Sequence, residues 1–150
     1  MTSKYIKGDI HQEIYKLESN SIDLIYTNPP YGTTSAKWDK PLNWKELFPE
    51  MFRVLKPNGF IILHCAKPFT YKLISIQAPK YHYCWKKNKL TNYYHAKKQP
   101  LRQMEEILVY YKKNGTYNPQ MRGNKILKTA KANNTGQCYY GARNHKLKKG

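Results

Sequence analysis

Acidic residues are scarce in this chain. Nine Asp and Glu stand against 27 Lys and Arg, a formal net charge of +18 over 150 residues. Cysteine is almost as rare: Cys65, Cys84 and Cys138 are odd in number and show no CxxC spacing, which argues against a disulfide framework. No apolar run approaches the roughly 18 residues of a membrane span, and the opening MTSKYIKGD lacks the apolar stretch of a secretory signal. The reading is a cytoplasmic chain with no membrane partner. The eight glycines include no GxG spacing, and there is no internal repeat. No four-ligand His/Cys spacing exists for a metal, since His64-Cys65 and His82/Cys84 are the nearest pairs.

What is present suffices for one domain, because 40% of residues are hydrophobic and 14% aromatic. The charge is unevenly spread. Residues 1–50 hold seven acids and six bases, so residues 51–150 hold two acids and 21 bases. Self-repulsion of that size destabilises a compact state unless a polyanion neutralises it, and nucleic acid is the commonest polyanion.

Apolar spacing predicts a short strand at Lys4–Lys7, helical turns over Ile10–Leu17 and a helix over Trp44–Leu55 capped by Asn43. Trp44, Phe48 and Phe52 fall at helical spacing, as core residues do. Ile22–Thr27 reads as a strand buried on both faces. Lys56–Gly59 reads as a break before a strand at Phe60–His64. A helix over Pro68–Gln77, a strand at Tyr81–Lys86, a basic Tyr-rich loop over 87–101 and a strand at Glu106–Lys112 follow. Strand–helix–strand alternation predicts an α/β fold with a largely parallel sheet and flanking helices. From about residue 113 the apolar periodicity ends, and 113–150 reads as a basic tail that is flexible until bound.

Asn28-Pro29-Pro30-Tyr31 closes a predicted strand, where open parallel sheets carry their ligands. The Asn28 side-chain oxygen and the Pro29 carbonyl are two acceptors on a stiff backbone. Hydrogen bonds from both N–H groups of a nucleobase exocyclic amine to such acceptors localise its lone pair for attack. Tyr31 offers an aromatic face to a base flipped from its stack.

In order, DLIYTNPPYGTTSAKWD, RVLKPNGFIILH, YHAKKQPLR, EEILVYYKK and TYNPQM resemble the amino-methylating DNA methyltransferases. The resemblance covers roughly residues 4 to 121 and is greatest to the subgroup whose catalytic half precedes its cofactor half. It implies a partial Rossmann-like methyltransferase fold, with residues 1–112 as the catalytic half and 113–150 as the start of a target-recognition region. S-adenosylmethionine is the implied cofactor, and double-stranded DNA the implied partner. The implied catalytic residues are Asn28, Pro29, Pro30 and Tyr31. Asp9, in Gly8-Asp9, and Asn28 are implied to meet the cofactor. Trp38, Asp39, Lys97, Lys98 and Arg102 are expected to face nucleic acid.

Three departures stand out. Asn28 occupies a position that is more often Asp in the subgroup; the acceptor oxygen is kept and the charge lost. Glu105 matches a family acid, but Met104 stands before it where His is common. The family's FxGxG turn for the cofactor is missing, and in this subgroup it follows the recognition region. The chain is therefore read as a truncated gene, a decayed remnant, or one piece of a split enzyme whose second polypeptide supplies the cofactor half. Two functional classes stay open: an adenine-N6 methyltransferase, with cytosine-N4 as the variant, and a catalytically inactive DNA-binding fragment or partner subunit. Heavy Lys, Asn, Ile and Tyr usage suits an AT-rich bacterial or phage genome.

The charge split generates a prediction. Residues 51–150 are expected to supply most DNA affinity, with log Kd against log salt showing a slope of several units. Fluorescence anisotropy over a salt series measures it, and an affinity indifferent to salt contradicts it.

Overall fold

Six residues from Ile22 to Thr27 form strand β1, and the chain returns to lie parallel beside it only after an eleven-residue helix. The computed structural model describes residues 3–91, 93–118 and 120. Helix α1 (Ile10–Glu13) passes into a 3-10 turn, Ile14–Lys16. After β1 come α2 (Trp44–Val54), β2 (Leu55–Cys65), α3 (Phe69–Ile76), β3 (Tyr81–Thr91) and β4 (Arg102–Tyr110). Lys4–Lys7 is irregular and exposed rather than a strand, with no strand beside it to pair with among the described residues.

The α/β class holds, and the sheet is mixed. Its order is β1-β2-β4-β3, with β1–β2 parallel and both β2–β4 and β4–β3 antiparallel. The connections explain this. A helical crossover from β1 through α2 delivers β2 parallel, whereas the return after Thr91 has no such helix and sets β4 antiparallel to β3. Hence β1, β2 and β3 run one way, with β4 inserted against them.

The expected break at Lys56–Gly59 is a bulge inside β2. Ile22 pairs with Leu55, yet Leu24 pairs with Phe60, so β2 accommodates three extra residues there. Pro57 is tolerated because this stretch has left the ladder. Gly59 is required by close approach, since a Cβ would lie 2.7 Å from the Asp23 carbonyl.

The core occupies one face of the sheet. Ile61, Leu63, Leu108 and Tyr110 meet Trp44, Leu47, Phe48 and Met51 of α2 and Phe69 and Leu73 of α3, all nearly inaccessible. Phe48 packs against Tyr110 at 5.1 Å between ring centroids. The stripe expected along α2 is thus the core stripe, although Asn43 caps it without a side-chain bond.

The opposite face carries no helix among the described residues and is largely exposed, although His64 and Val109 on it are buried and Gly115 lies against Phe60. Registry places Leu24 and Tyr26 beside Phe60, Ile62 and His64, then Ile107 and Val109, then Tyr81, Tyr83 and Trp85. Leu24 is 52% exposed, Tyr26 62% and Tyr83 53%. This corrects the expectation for β1, which is an edge strand with one open face rather than a strand buried on both. Residues 121–150, most of the basic tail, lie outside the described residues.

One-sided burial has a measurable consequence. Leu63→Ala should cost about 2–5 kcal/mol, because it empties a fully buried site. Tyr83→Ser should stay within about 1 kcal/mol. Urea titrations of both variants test the contrast; equal losses would show that the second face is covered.

Candidate functional site

The chain leaves β1 at Thr27 and cannot extend the ladder, because Pro29 and Pro30 lack N–H groups. Pro29 is buried, whereas Asn28 stands exposed at the carboxyl end of the strand. The Tyr31 hydroxyl turns back and donates to Asn28 Oδ1 at 2.8 Å. Its ring stacks on Phe69, the first residue of α3, at 5.1 Å and 20°. Burial first, then the nearby Glu105 and Cys65, push the Tyr31 phenol up to about 12, so it stays a donor. An amide oxygen has two lone pairs, and the second on Asn28 Oδ1 is left for an external N–H.

The following loop is organised by one carboxylate. Asp39 Oδ1 accepts from the Gly32 N–H at 2.7 Å. Asp39 Oδ2 accepts from the Thr33 and Thr34 N–H groups at 2.9 and 2.7 Å, and from the Thr34 hydroxyl at 2.8 Å. Gly32 sits at φ +67°, where a side chain would be strained. These donors, Gly32 and the Thr34 hydroxyl foremost, hold the Asp39 carboxyl down at about 2. Asp39 is 7% exposed, and its carboxylate is engaged as the anchor of loop 32–39. Its neighbour Trp38 is 73% exposed and projects outward.

The topology brings the expected cations to the same end of the sheet. The carboxyl ends of β1, β2 and β3 point one way, and Thr91 of β3 pairs with Arg102 of β4 there. Lys97 and Lys98 lie exposed in the connection between those strands. Asp9 is the N-cap of α1, with Oδ1 accepting from the His11 N–H at 2.8 Å. It has no hydrogen bond to Asn28–Tyr31. Glu105 pairs with Lys87 at 2.6 Å.

Sequence reasoning passed over Phe69, Thr70 and Glu106. Glu106 is 7% exposed, with its Oε2 accepting from the Thr70 hydroxyl and its Oε1 3.3 Å from His82 Nε2 and 3.8 Å from Lys67 Nζ. A signal existed: of two adjacent acids in a strand, one must point into the core.

A family model described as DNA methylase, for the N6/N4 enzymes, matches residues 22–148. The chain belongs to this N6/N4 DNA methylase family. It is 33% identical over 97 residues to the type II methyltransferase M.HpaI of Haemophilus parainfluenzae, covering 57% of this chain and 31% of that protein. The DNA adenine methyltransferase YhdJ of Escherichia coli is 36% identical over 88 residues, 45% of this chain and 30% of that protein. The chain thus spans about a third or less of the curated relatives it matches. Among solved structures, M1.HpyAVI superposes with a TM-score of 0.53 at 19% identity, covering 78% of this chain and 60% of that one. TTHA0409 of Thermus thermophilus, a DNA modification methylase by its description, gives 0.51 at 19%, covering 75% and 54%. These likenesses show the shared fold.

The Asp39 clasp is testable through pH. A carboxyl lowered in the folded state stabilises above its ordinary value, near pH 4, and loses that contribution as pH falls through about 2. Asp39→Asn, which turns an amide N–H toward donors, should lower the urea midpoint at neutral pH and flatten its fall between pH 4 and 2. A parallel, unshifted curve would mean the carboxylate organises nothing.

Proposed function

We propose that this chain carries the amine-holding site of a DNA methyltransferase acting on the N6 amine of adenine. The observation that carries the reading is the exposed Asn28 Oδ1, steadied by the Tyr31 hydroxyl and retaining a free lone pair at the carboxyl end of β1. In this reading the target amine donates one N–H to Asn28 and the other to the Pro29 carbonyl. Both bonds strengthen as the nitrogen becomes tetrahedral, so they stabilise the transition state more than the bound base. Tyr31, braced by Phe69, supplies the flat face for the flipped base. Trp38 and the Lys97, Lys98 and Arg102 end of the sheet take the nucleic acid, with phosphate contacts setting register rather than sequence. The N6 choice is supported by YhdJ, whose name specifies adenine.

S-adenosylmethionine is the proposed methyl donor, and TTHA0409 has been determined in complex with it. When bound, it supplies a methyl group on a sulfonium centre. The donor set here fits part of that molecule. Asp9 keeps Oδ2 outside its capping bond and is the candidate acceptor for a cofactor amine or hydroxyl. No GxG turn exists among the eight glycines to hold its carboxylate. The second reading, a binding subunit completed by another polypeptide, is favoured by the exposure of Leu24, Tyr26 and Tyr83 on one sheet face.

The test is methyl transfer from labelled cofactor to duplex DNA, with DNA binding measured in parallel and the product base identified. Asn28→Ala should lower the rate about a hundredfold, on the order of 3 kcal/mol, with little change in affinity. Asn28→Asp should stay active, since its oxygen keeps the acceptor position. Near-normal transfer by Asn28→Ala would make Asn28 a turn residue only. Methylated cytosine as product would reassign the target.

A further inference from the structure

Helix α3 begins without the usual support. Its N-cap, Pro68, makes no side-chain bond, so nothing of that kind secures the first turn. The first turn is instead tied to the sheet through Thr70, which is fully buried and donates its hydroxyl to Glu106 Oε2. Glu106 is one of only two acids in residues 51–150. Burial of a carboxylate is costly unless it is compensated, and here the compensation comes from three segments. These are Thr70 on α3, His82 on β3 at 3.3 Å, and Lys67, just before α3, at 3.8 Å. A negative group at this end of the helix also suits the helix dipole.

The residue beside Thr70 is Phe69, and Phe69 is the surface on which Tyr31 stacks. A contact chain therefore runs from Glu106 through Thr70 and Phe69 to Tyr31, and through the Tyr31 hydroxyl to Asn28 Oδ1. We infer that Glu106 is a positioning residue for the base-binding face: by holding the first turn of α3 through Thr70, it sets the Phe69 ring against which Tyr31 is aligned. Glu106 itself touches neither Tyr31 nor Asn28. The inference rests on the reading of Asn28–Tyr31 as the amine-holding site, but its first test does not.

That first test is the NMR ring-current shift of Tyr31, in residues 1–150 carrying 13C-labelled tyrosine, assigned by loss of the signal in Tyr31→Phe. Glu106→Ala and the isosteric Thr70→Val should both move the Tyr31 signal toward the unstacked position, and the double variant should move it no further than either single change. Glu106→Gln keeps an oxygen for the Thr70 hydroxyl and should leave the signal close to wild type. In a preparation that transfers methyl groups, Glu106→Ala and Thr70→Val should reduce kcat by about 10- to 100-fold. KM for DNA should stay within about threefold, and Glu106→Gln should restore most of the rate. A Tyr31 signal unmoved by Thr70→Val, or additive shifts in the double variant, overturns the inference. If Asn28→Ala leaves transfer unchanged while the Tyr31 shifts occur as described, the site reading fails and the positioning of Tyr31 by Glu106 stands.

Discussion

Strand β2 is the constraint on which the rest of the structure depends. From Ile61 to Cys65 it is paired on both sides, with β1 through Leu63 and with β4 throughout. Ile61, Leu63 and Cys65 alternate into the helical face with no accessible surface. The end of β1 that launches Asn28 is fixed by the Thr27–Leu63 pair, and Glu106 is fixed by its pairing with Cys65. Helix α3 leaves from the end of the same strand. Site geometry is therefore inherited from one doubly paired strand, which is the part of a sheet that opens least readily.

The second organising fact is that α2 and α3 share one face. Burial on that side is nearly complete, and it gathers Trp44, Phe48, Phe69 and Tyr110 into one aromatic cluster. Tyr31 joins the cluster through Phe69, so the candidate base platform is an outlying member of the core. Rigidity reaches an otherwise irregular loop by that route. The opposite face leaves Tyr26, Tyr81, Tyr83 and Trp85 about half exposed or more, with no helix over them among the described residues, and exposed aromatic patches of this kind suit an interaction.

Scarcity of acid leaves seven of the nine carboxylates with a structural assignment among the described residues. Asp39 gathers the 32–39 loop, Glu106 secures α3, and Asp9 caps α1. Glu13, Asp23, Glu50 and Glu105 each pair with a Lys or Arg. The exposed pairs among them, Lys16–Glu13 and Lys56–Asp23, contribute little stability, and Asp39 and Glu106 are the two buried carboxylates. Both lie outside the tetrapeptide: Asp39 binds the loop that follows it, and Glu106 binds Thr70, beside the Phe69 on which Tyr31 stacks. The tetrapeptide contains no ionisable group but Tyr31, whose phenol stays protonated. In the proposed chemistry hydrogen-bond acceptors orient the amine, and no base is needed before attack.

Local pattern determined a good deal. Ile22–Thr27 was legible as a near-continuous apolar run of strand length, the α2 stripe by its helical period, and Asn28–Tyr31 because its two prolines cannot extend a ladder. The charge division between the two parts of the chain was likewise plain in the residues alone. Tertiary structure decided the rest. Whether β1 is central or an edge depends on which strands lie beside it, and a run of apolar residues is identical in both cases. The order β1-β2-β4-β3 follows from how the chain returns after β3, which carries no periodic signal. Asp39 and Glu106 are acids like any other until their partners assemble around them. Those partners come from backbone N–H groups and from residues up to 39 positions away along the chain, and such distance leaves no trace in local sequence.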